Sequence, residues 1–154
     1  MILALDPGTT ETALVVLHEG RIALHDKQPN DWVLGFLWGY RSLPRPTLAV
    51  EMIASYGMPV GKEVFETCVW IGRFVQAWQP GEFAYVYRRD VKLHLCGSPK
   101  AKDPNVRQAL LDLYGPQGTK KAPGPTYGLK ADEWAALAVA ETYRAKVALE
   151  RRAA

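Results

Sequence analysis

A chain of 154 residues, 48% of them hydrophobic and 23% charged, with a net charge of +3, has the size and composition of one folded domain over residues 1–154. These values exclude an intrinsically disordered chain, and the two cysteines, Cys68 and Cys96, lack the spacing of a zinc site. No segment has the pattern of a signal peptide or of a membrane span, so we expect a cytoplasmic protein with no membrane partner.

The predicted elements alternate between strands and helices after an initial group of strands. Apolar runs, side-chain periodicity and Gly- or Pro-containing turns define them in chain order as three strands (1–5, 12–17, 21–25), a helix (32–38), a strand (47–50), a helix (62–78), a strand (83–87) and three helices (90–95, 104–114, 130–151). Asp103 is the expected N-cap of the second of these last helices, and the Gly-, Pro- and Lys-rich segment 115–128 is an expected mobile loop. This order favours an α/β fold with a mixed sheet flanked by helices.

Three acidic residues occupy positions at which a carboxylate is expensive to bury. Asp6 ends the first apolar strand, Glu51 ends the fourth, and Asp132 lies in the first turn of the last helix. A charge that directly follows a buried strand must be solvated, paired or metal-bound. Each residue taken alone is more simply explained as an ordinary acid at a strand end or helix start. The combination of all three is what carries information about function.

Taken together, these motifs resemble the RuvC-type resolvases, and the phage-type branch of that family most of all. The resemblance rests on Asp6-Pro7-Gly8 after a strand, on Val50-Glu51, on the basic segment 87–108, and on Asp132 before an Ala-rich run. It implies an RNase H-like fold with a five-stranded mixed sheet in the order 3-2-1-4-5. It also implies an endonuclease that resolves four-way (Holliday) DNA junctions, in which Asp6, Glu51 and Asp132 hold two Mg²⁺ or Mn²⁺ ions for phosphodiester hydrolysis.

The last motif departs from the family at one position. The family carries two catalytic residues three positions apart in this helix; the first matches Asp132 and the second falls on Ala135, which cannot bind a metal. Three explanations stay open: Glu133 supplies the missing ligand from a direction about 100° away on the helix, Asp132 acts alone, or Ala135 is an inactivating change. The alternative function is therefore a protein that binds branched DNA without cutting it.

The resemblance also places the DNA contacts. Between residues 88 and 121 there are eight Lys or Arg and three Asp, and this segment is expected to neutralise phosphates on the junction arms. The expected phosphate-contacting residues are Arg88, Arg89, Lys92, Lys100, Lys102, Arg107, Lys120 and Lys121. In the family, a loop after the second acidic residue carries an aromatic side chain that wedges into the junction centre. Tyr56 is the candidate for that wedge, and Met58 is the second choice.

A homodimer is the expected assembly, because a four-way junction has two-fold symmetry and two symmetric cuts give ligatable duplexes. The amphipathic helix 62–78 is the expected interface, through Trp70 or Phe74. The resemblance further suggests a bacterial cell or a phage-infected cell as the place of action. A related protein that acts on RNA or on flap structures is a less favoured variant of the same hypothesis.

A different class of enzyme shares the first motif. The segment Asp6-Pro7-Gly8-Thr9-Thr10 also resembles the first phosphate loop of actin-like and sugar-kinase-like ATPases. Those proteins bind nucleotide between two lobes, for which 154 residues are too few, and no second Asp-x-Gly motif follows a strand. A fragment of such an ATPase is therefore the less favoured alternative.

Overall fold

The computed structural model describes residues 1–40 and 44–154 and arranges them as a sheet with helices on both faces. The strands are β1 (Ile2–Pro7), β2 (Glu11–His18), β3 (Arg21–Pro29), β4 (Thr47–Met52) and β5 (Phe83–Tyr87). The helices are α1 (Asn30–Gly39), α2 (Lys62–Trp78), α3 (Arg88–Cys96), α4 (Asp103–Tyr114) and α5 (Glu133–Ala153). The five strands lie in the order β3-β2-β1-β4-β5, with β1 antiparallel to β2 and parallel to β4. The expected mixed α/β sheet in the order 3-2-1-4-5 is confirmed.

The differences from the predicted elements lie mainly at their ends. Strand β3 continues to Pro29 because it pairs with β2 along its whole length, up to Glu11. Helix α4 begins at Asp103 itself, so its N-cap is Lys102, whose backbone N–H donates to the Asn105 side chain at 3.0 Å. Helix α5 begins only at Glu133 and not at residue 130, after a residue with a positive φ of 32° at position 131. Asp132 therefore stands at the N-cap of α5 instead of inside its first turn.

The segment 115–128 is more structured than the expected mobile loop. Gly118 and Pro123 form an isolated antiparallel bridge, and a Cβ on Gly118 would lie only 2.3 Å from the Ala122 carbonyl oxygen. Thr126 is fully buried and its hydroxyl donates to the Gly115 carbonyl at 3.3 Å. These bonds give the segment a defined course between α4 and α5.

Alternation of side chains along the strands divides the core into two clusters. Leu3 and Leu5 of β1 lie on one face with the apolar residues of β4, α1 and α2, while Ala4 lies on the other face against α5. Phe74 and Trp78 of α2 are completely buried in the first cluster. The interface predicted at Phe74 is therefore wrong, because that side chain fills the core and cannot face a second subunit.

The outer surface of α2 carries different apolar residues from those expected. Phe65 and Val69 are each 63% exposed, whereas Trp70 is half-buried with its ring 5.7 Å from that of Phe74.

In the described part of the chain, no helix is long and apolar enough to cross a membrane.

Candidate active site

Asp6 and Glu51 lie side by side because of the register between β1 and β4. The two strands are parallel, and Leu5 pairs with Val50, so the next residue of each strand emerges at the same edge of the sheet. Both acidic residues have the parity of Ala4 and Ala49, which face α5. Their carboxylates therefore extend the row of alanines beneath the start of α5, where Asp132 stands.

The turn that follows Asp6 is held by a buried asparagine from α1. The Thr12 hydroxyl donates to Asn30 Oδ1 at 2.6 Å, and Asn30 Nδ2 donates to the Gly8 carbonyl at 2.9 Å. A Cβ on Gly8 would lie 2.7 Å from the Glu11 carbonyl oxygen, which also accepts the Gly8 N–H, so the turn requires glycine. Asn30 thus positions Asp6 from a distance, a role that the local sequence pattern does not reveal.

The electrostatics of the pair favour a bound cation. Burial, a hydrogen bond with Glu51 and the negative charges of Glu51 and Asp132 raise the pKa of Asp6 to about 9, although the nearby Arg88 opposes this shift. In the absence of a metal, the pair accordingly holds a proton at neutral pH. A divalent cation would take the place of that proton, since two adjacent carboxylates are not readily both ionised without compensating charge.

Two basic side chains pair with the acidic residues of the site. Arg88 Nη1 lies 3.4 Å from Glu51 Oε1, and Nη2 of the same side chain donates to Asp103. Lys27 Nζ lies 2.7 Å from Asp132 Oδ2. Lys27 was missed from sequence because the third strand was predicted to end at residue 25. In the structure Lys27 of β3 pairs with a β2 residue, and the same β2 residue pairs with Asp6 of β1. Lys27, this β2 residue and Asp6 therefore lie in one row across the sheet.

Glu133, one of the three explanations for the ligand that Ala135 does not provide, is engaged in contacts with β3 and with the backbone before α5. Its side chain is buried, with Oε2 lying 3.0 Å from His25 Nδ1 and accepting the Lys130 N–H at 2.8 Å. These bonds fix the start of α5 and hence the position of Asp132. No sequence pattern indicates the contact between His25 and Glu133, since the two residues are 108 positions apart.

The acidic residues Asp6, Glu51 and Asp132 border an open cleft of about 480 Å³. Its other walls include Arg88, Asp103, Arg107, Trp134 and Ala135. The Arg107 guanidinium lies over the Trp134 ring, 4.9 Å from its centre, while Ala135 offers only a methyl group. The cleft therefore combines carboxylate oxygens with two arginines, the mixture needed for a metal ion and a phosphate.

The carboxylates do not form a ready-made coordination shell. Within residues 1–40 and 44–154, no three acidic, His or Cys side chains are grouped so that they could hold a metal ion. Glu51 is bound to Arg88 and Asp132 to Lys27, so each must exchange its cationic partner to join a metal centre with Asp6. The hard oxygen donors themselves suit Mg²⁺ or Mn²⁺.

The remaining predicted DNA contacts fall into two groups. Arg88 and Arg107 line the cleft, whereas the other six basic residues do not, namely Arg89, Lys92, Lys100, Lys102, Lys120 and Lys121. The loop after β4 presents Tyr56, which is 57% exposed and has a positive φ of 49°, with the Arg89 guanidinium 5.8 Å from its ring centre. Met58 in the same loop is also exposed.

Solved structures of RuvC from Thermus thermophilus share this fold. One of them has a TM-score of 0.72 at 16% sequence identity and covers 97% of this chain and 96% of its own. A second, RuvC in complex with a Holliday junction substrate, has a TM-score of 0.67 at 18% identity and covers 92% of this chain and 90% of its own. No protein-family model and no curated protein matches the sequence. The chain therefore has the RNase H-like fold of RuvC over nearly its whole length.

Proposed function

We propose that this chain is a metal-dependent endonuclease that resolves four-way DNA junctions. The observation that carries the proposal is the Asp6–Glu51 pair at the edge of parallel strands, beside Asp132 and two arginines in one open cleft. The fold that holds this pair is also the fold of a RuvC protein solved with a Holliday junction substrate. The proposed site of action is the DNA of a bacterial or phage-infected cell.

Asp6, Glu51 and Asp132 are the residues that would hold Mg²⁺ or Mn²⁺. When bound, a pair of such ions supplies a water of lowered pKa and stabilises the leaving oxygen of the phosphodiester. Burial, the hydrogen bond with Glu51 and the charges of Glu51 and Asp132 raise the pKa of Asp6, so Asp6 would release a proton to solvent when a cation binds. Arg107, whose guanidinium lies over the Trp134 ring, places a positive charge at the cleft wall where a phosphate would enter.

The proposed partner is branched DNA, bound by a homodimer. The basic residues outside the cleft would contact the phosphates of the arms, which makes binding depend steeply on salt concentration. Two-fold symmetry of the junction requires two equivalent sites. The exposed Phe65 and Val69 of α2 are the apolar surface that supports contact with a second copy of the chain.

Cleavage of a labelled four-way junction tests the proposal directly. We expect paired symmetric cuts with Mg²⁺ or Mn²⁺, no cuts in EDTA, and no cuts in a linear duplex of the same sequence. The Asp31→Asn variant, which alters an exposed acid in the first turn of α1, is expected to cut like the wild type.

The same assay distinguishes the alternative suggested by Ala135. A chain that binds the junction but cuts it in neither metal, while Ala135→Asp restores cleavage, would be a non-cleaving junction binder, and the nuclease proposal would fail. Thermal stabilisation by ATP in place of junction binding would instead support the ATPase alternative.

Tyr56 is expected to act on the DNA and not on the metal. Replacing Tyr56 with alanine should lower the rate of junction cleavage by about 5- to 150-fold, the equivalent of losing about 1–3 kcal/mol of base stacking. Mn²⁺ affinity, measured by calorimetry, should stay unchanged because the residue lies outside the cleft. Tyr56→Phe keeps the stacking ring and should retain most of the activity. Equal rates for Tyr56→Ala and the wild type would contradict the wedge assignment.

A further inference from the structure

The α5 wall of the cleft supplies one carboxylate, whereas the family resemblance implies two. Ala135 contributes a methyl group, and the Glu133 carboxylate is committed to His25 and to a backbone N–H. Asp132 is thus the carboxylate that α5 brings to the cleft, and it is itself paired with Lys27. A second carboxylate for the centre would therefore have to come from another wall of the cleft.

Asp103 is an acidic residue that lines the cleft from α4. It is the first residue of α4, it lines the same cleft as Asp6 and Glu51, and its carboxylate accepts a hydrogen bond from Arg88. The other terminal nitrogen of that guanidinium lies 3.4 Å from Glu51 Oε1. Because the guanidinium is a rigid planar fork, Arg88 links the Glu51 and Asp103 carboxylates through its two terminal nitrogens.

A role in capping the helix does not account for this arrangement. An acid at a helix start is favoured by the helix dipole wherever it points. The Asp103 side chain makes no capping hydrogen bond in α4, and Asn105 instead accepts the N–H of Lys102. The Asp103 side chain is 74% exposed, so it is free to exchange Arg88 for another cation.

We infer that Asp103 supplies the fourth carboxylate of the metal centre, from the start of α4, in the place that Ala135 leaves without a ligand. This inference rests on the proposed nuclease function. Arg88 is then the internal counter-ion of the metal-free site, bridging Glu51 and Asp103 until a divalent cation takes that position. Arg88 is left near the cleft to face the phosphate.

Calorimetric titration with Mn²⁺ tests the assignment without depending on catalysis. Asp103→Asn should weaken Mn²⁺ binding by at least about tenfold, since even outer-shell partners of a metal cost about 10- to 100-fold when removed. Asp112→Asn, an exposed acid on the same helix, is the matched control and should bind like the wild type. Ala135→Asp should restore Mn²⁺ affinity in the Asp103→Asn background, because it adds a carboxylate at the α5 position where the wild type has only a methyl group.

The Arg88→Ala variant distinguishes two roles for Asp103, that of a metal ligand and that of a residue that only positions Arg88. The inference predicts that this variant binds Mn²⁺ at least as tightly as the wild type, because the competing cation is gone. Wild-type affinity in Asp103→Asn, or an equal loss in Arg88→Ala and Asp103→Asn, would overturn it. In either case, a wild-type chain that binds Mn²⁺ and cuts junctions keeps the proposed function, whereas a wild type that binds no Mn²⁺ ends both.

Discussion

Replacing Asp6 with asparagine will stabilise the metal-free protein and, in the same variant, abolish most of its cleavage. The wild-type folded state carries a carboxyl group whose pKa is raised to about 9 by burial and by its acidic neighbours. The wild type must take up a proton to fold at pH 8, whereas an uncharged amide need not, so the free energy of unfolding at pH 8 in EDTA should rise by at least about 1.4 kcal/mol, the equivalent of one pKa unit. Junction cleavage should fall by about 100- to 1000-fold or more, the size of effect expected when one preorganised stabilising group is removed from an active site.

The stabilisation should depend on pH in a defined direction. The folded protein retains the Asp6 proton up to about pH 9, whereas the unfolded chain releases it near the ordinary value of 3.8. The unfolded state therefore binds fewer protons across this window, and the stability of the metal-free wild type falls as pH rises through it. Denaturant unfolding at pH 5 and pH 8 measures the effect, and Asp6→Asn should gain more at pH 8.

The control for this prediction is Asp31→Asn, which makes the same chemical change at an exposed position of α1. Its free energy of unfolding should differ from that of the wild type by less than about 0.5 kcal/mol at both pH values. A loss of stability in Asp6→Asn at pH 8, or a gain that is the same at both pH values, would show that the carboxyl pair is not under electrostatic strain.

The second large effect is expected at Phe74. Replacing this residue with alanine should lower the free energy of unfolding by about 3–5 kcal/mol, because the ring is completely buried between α2 and the sheet and leaves a cavity. Denaturant unfolding should be measured at a protein concentration where sedimentation shows a monomer, so that folding is separated from assembly.

Phe65 is the matched comparison on the same helix. Because its side chain is 63% exposed, Phe65→Ala should change the stability of the monomer by less than about 0.5 kcal/mol, while it weakens the proposed dimer. Equal losses in monomer stability for the two variants would mean that the inner and outer faces of α2 have been assigned incorrectly.

Most of the fold could be predicted because its signals are local or rest on the resemblance. Strand ends at Asp6 and Glu51 are visible as apolar runs that stop at a charge, and the sheet order follows from the family resemblance. Which face of α2 is buried could not be predicted in the same way. Phe65 and Phe74 both fit helical spacing, but the buried face includes Thr67, a polar residue that hydrophobic periodicity does not count.

The parts of the site that sequence missed are contacts between distant segments. Lys27 reaches Asp132, and His25 reaches Glu133, only because β3 continues past its apolar part and runs beneath the start of α5. The Arg88 bridge to Asp103 likewise depends on how α3 and α4 pack. No spacing within one element encodes such pairs, so they require the three-dimensional structure.

The fully buried alanines of α5 set the mutational tolerance of the protein. Ala136, Ala138 and Ala140 have no exposed surface, so the neighbouring elements pack against their methyl groups and leave no room for larger side chains. Any added methylene there would cost about 1–3 kcal/mol or lift the helix, and with it the acid at its start. The positions that tolerate the fewest substitutions should thus include buried residues that do not contact DNA. Substitutions there would reduce activity by displacing the acid at the start of α5.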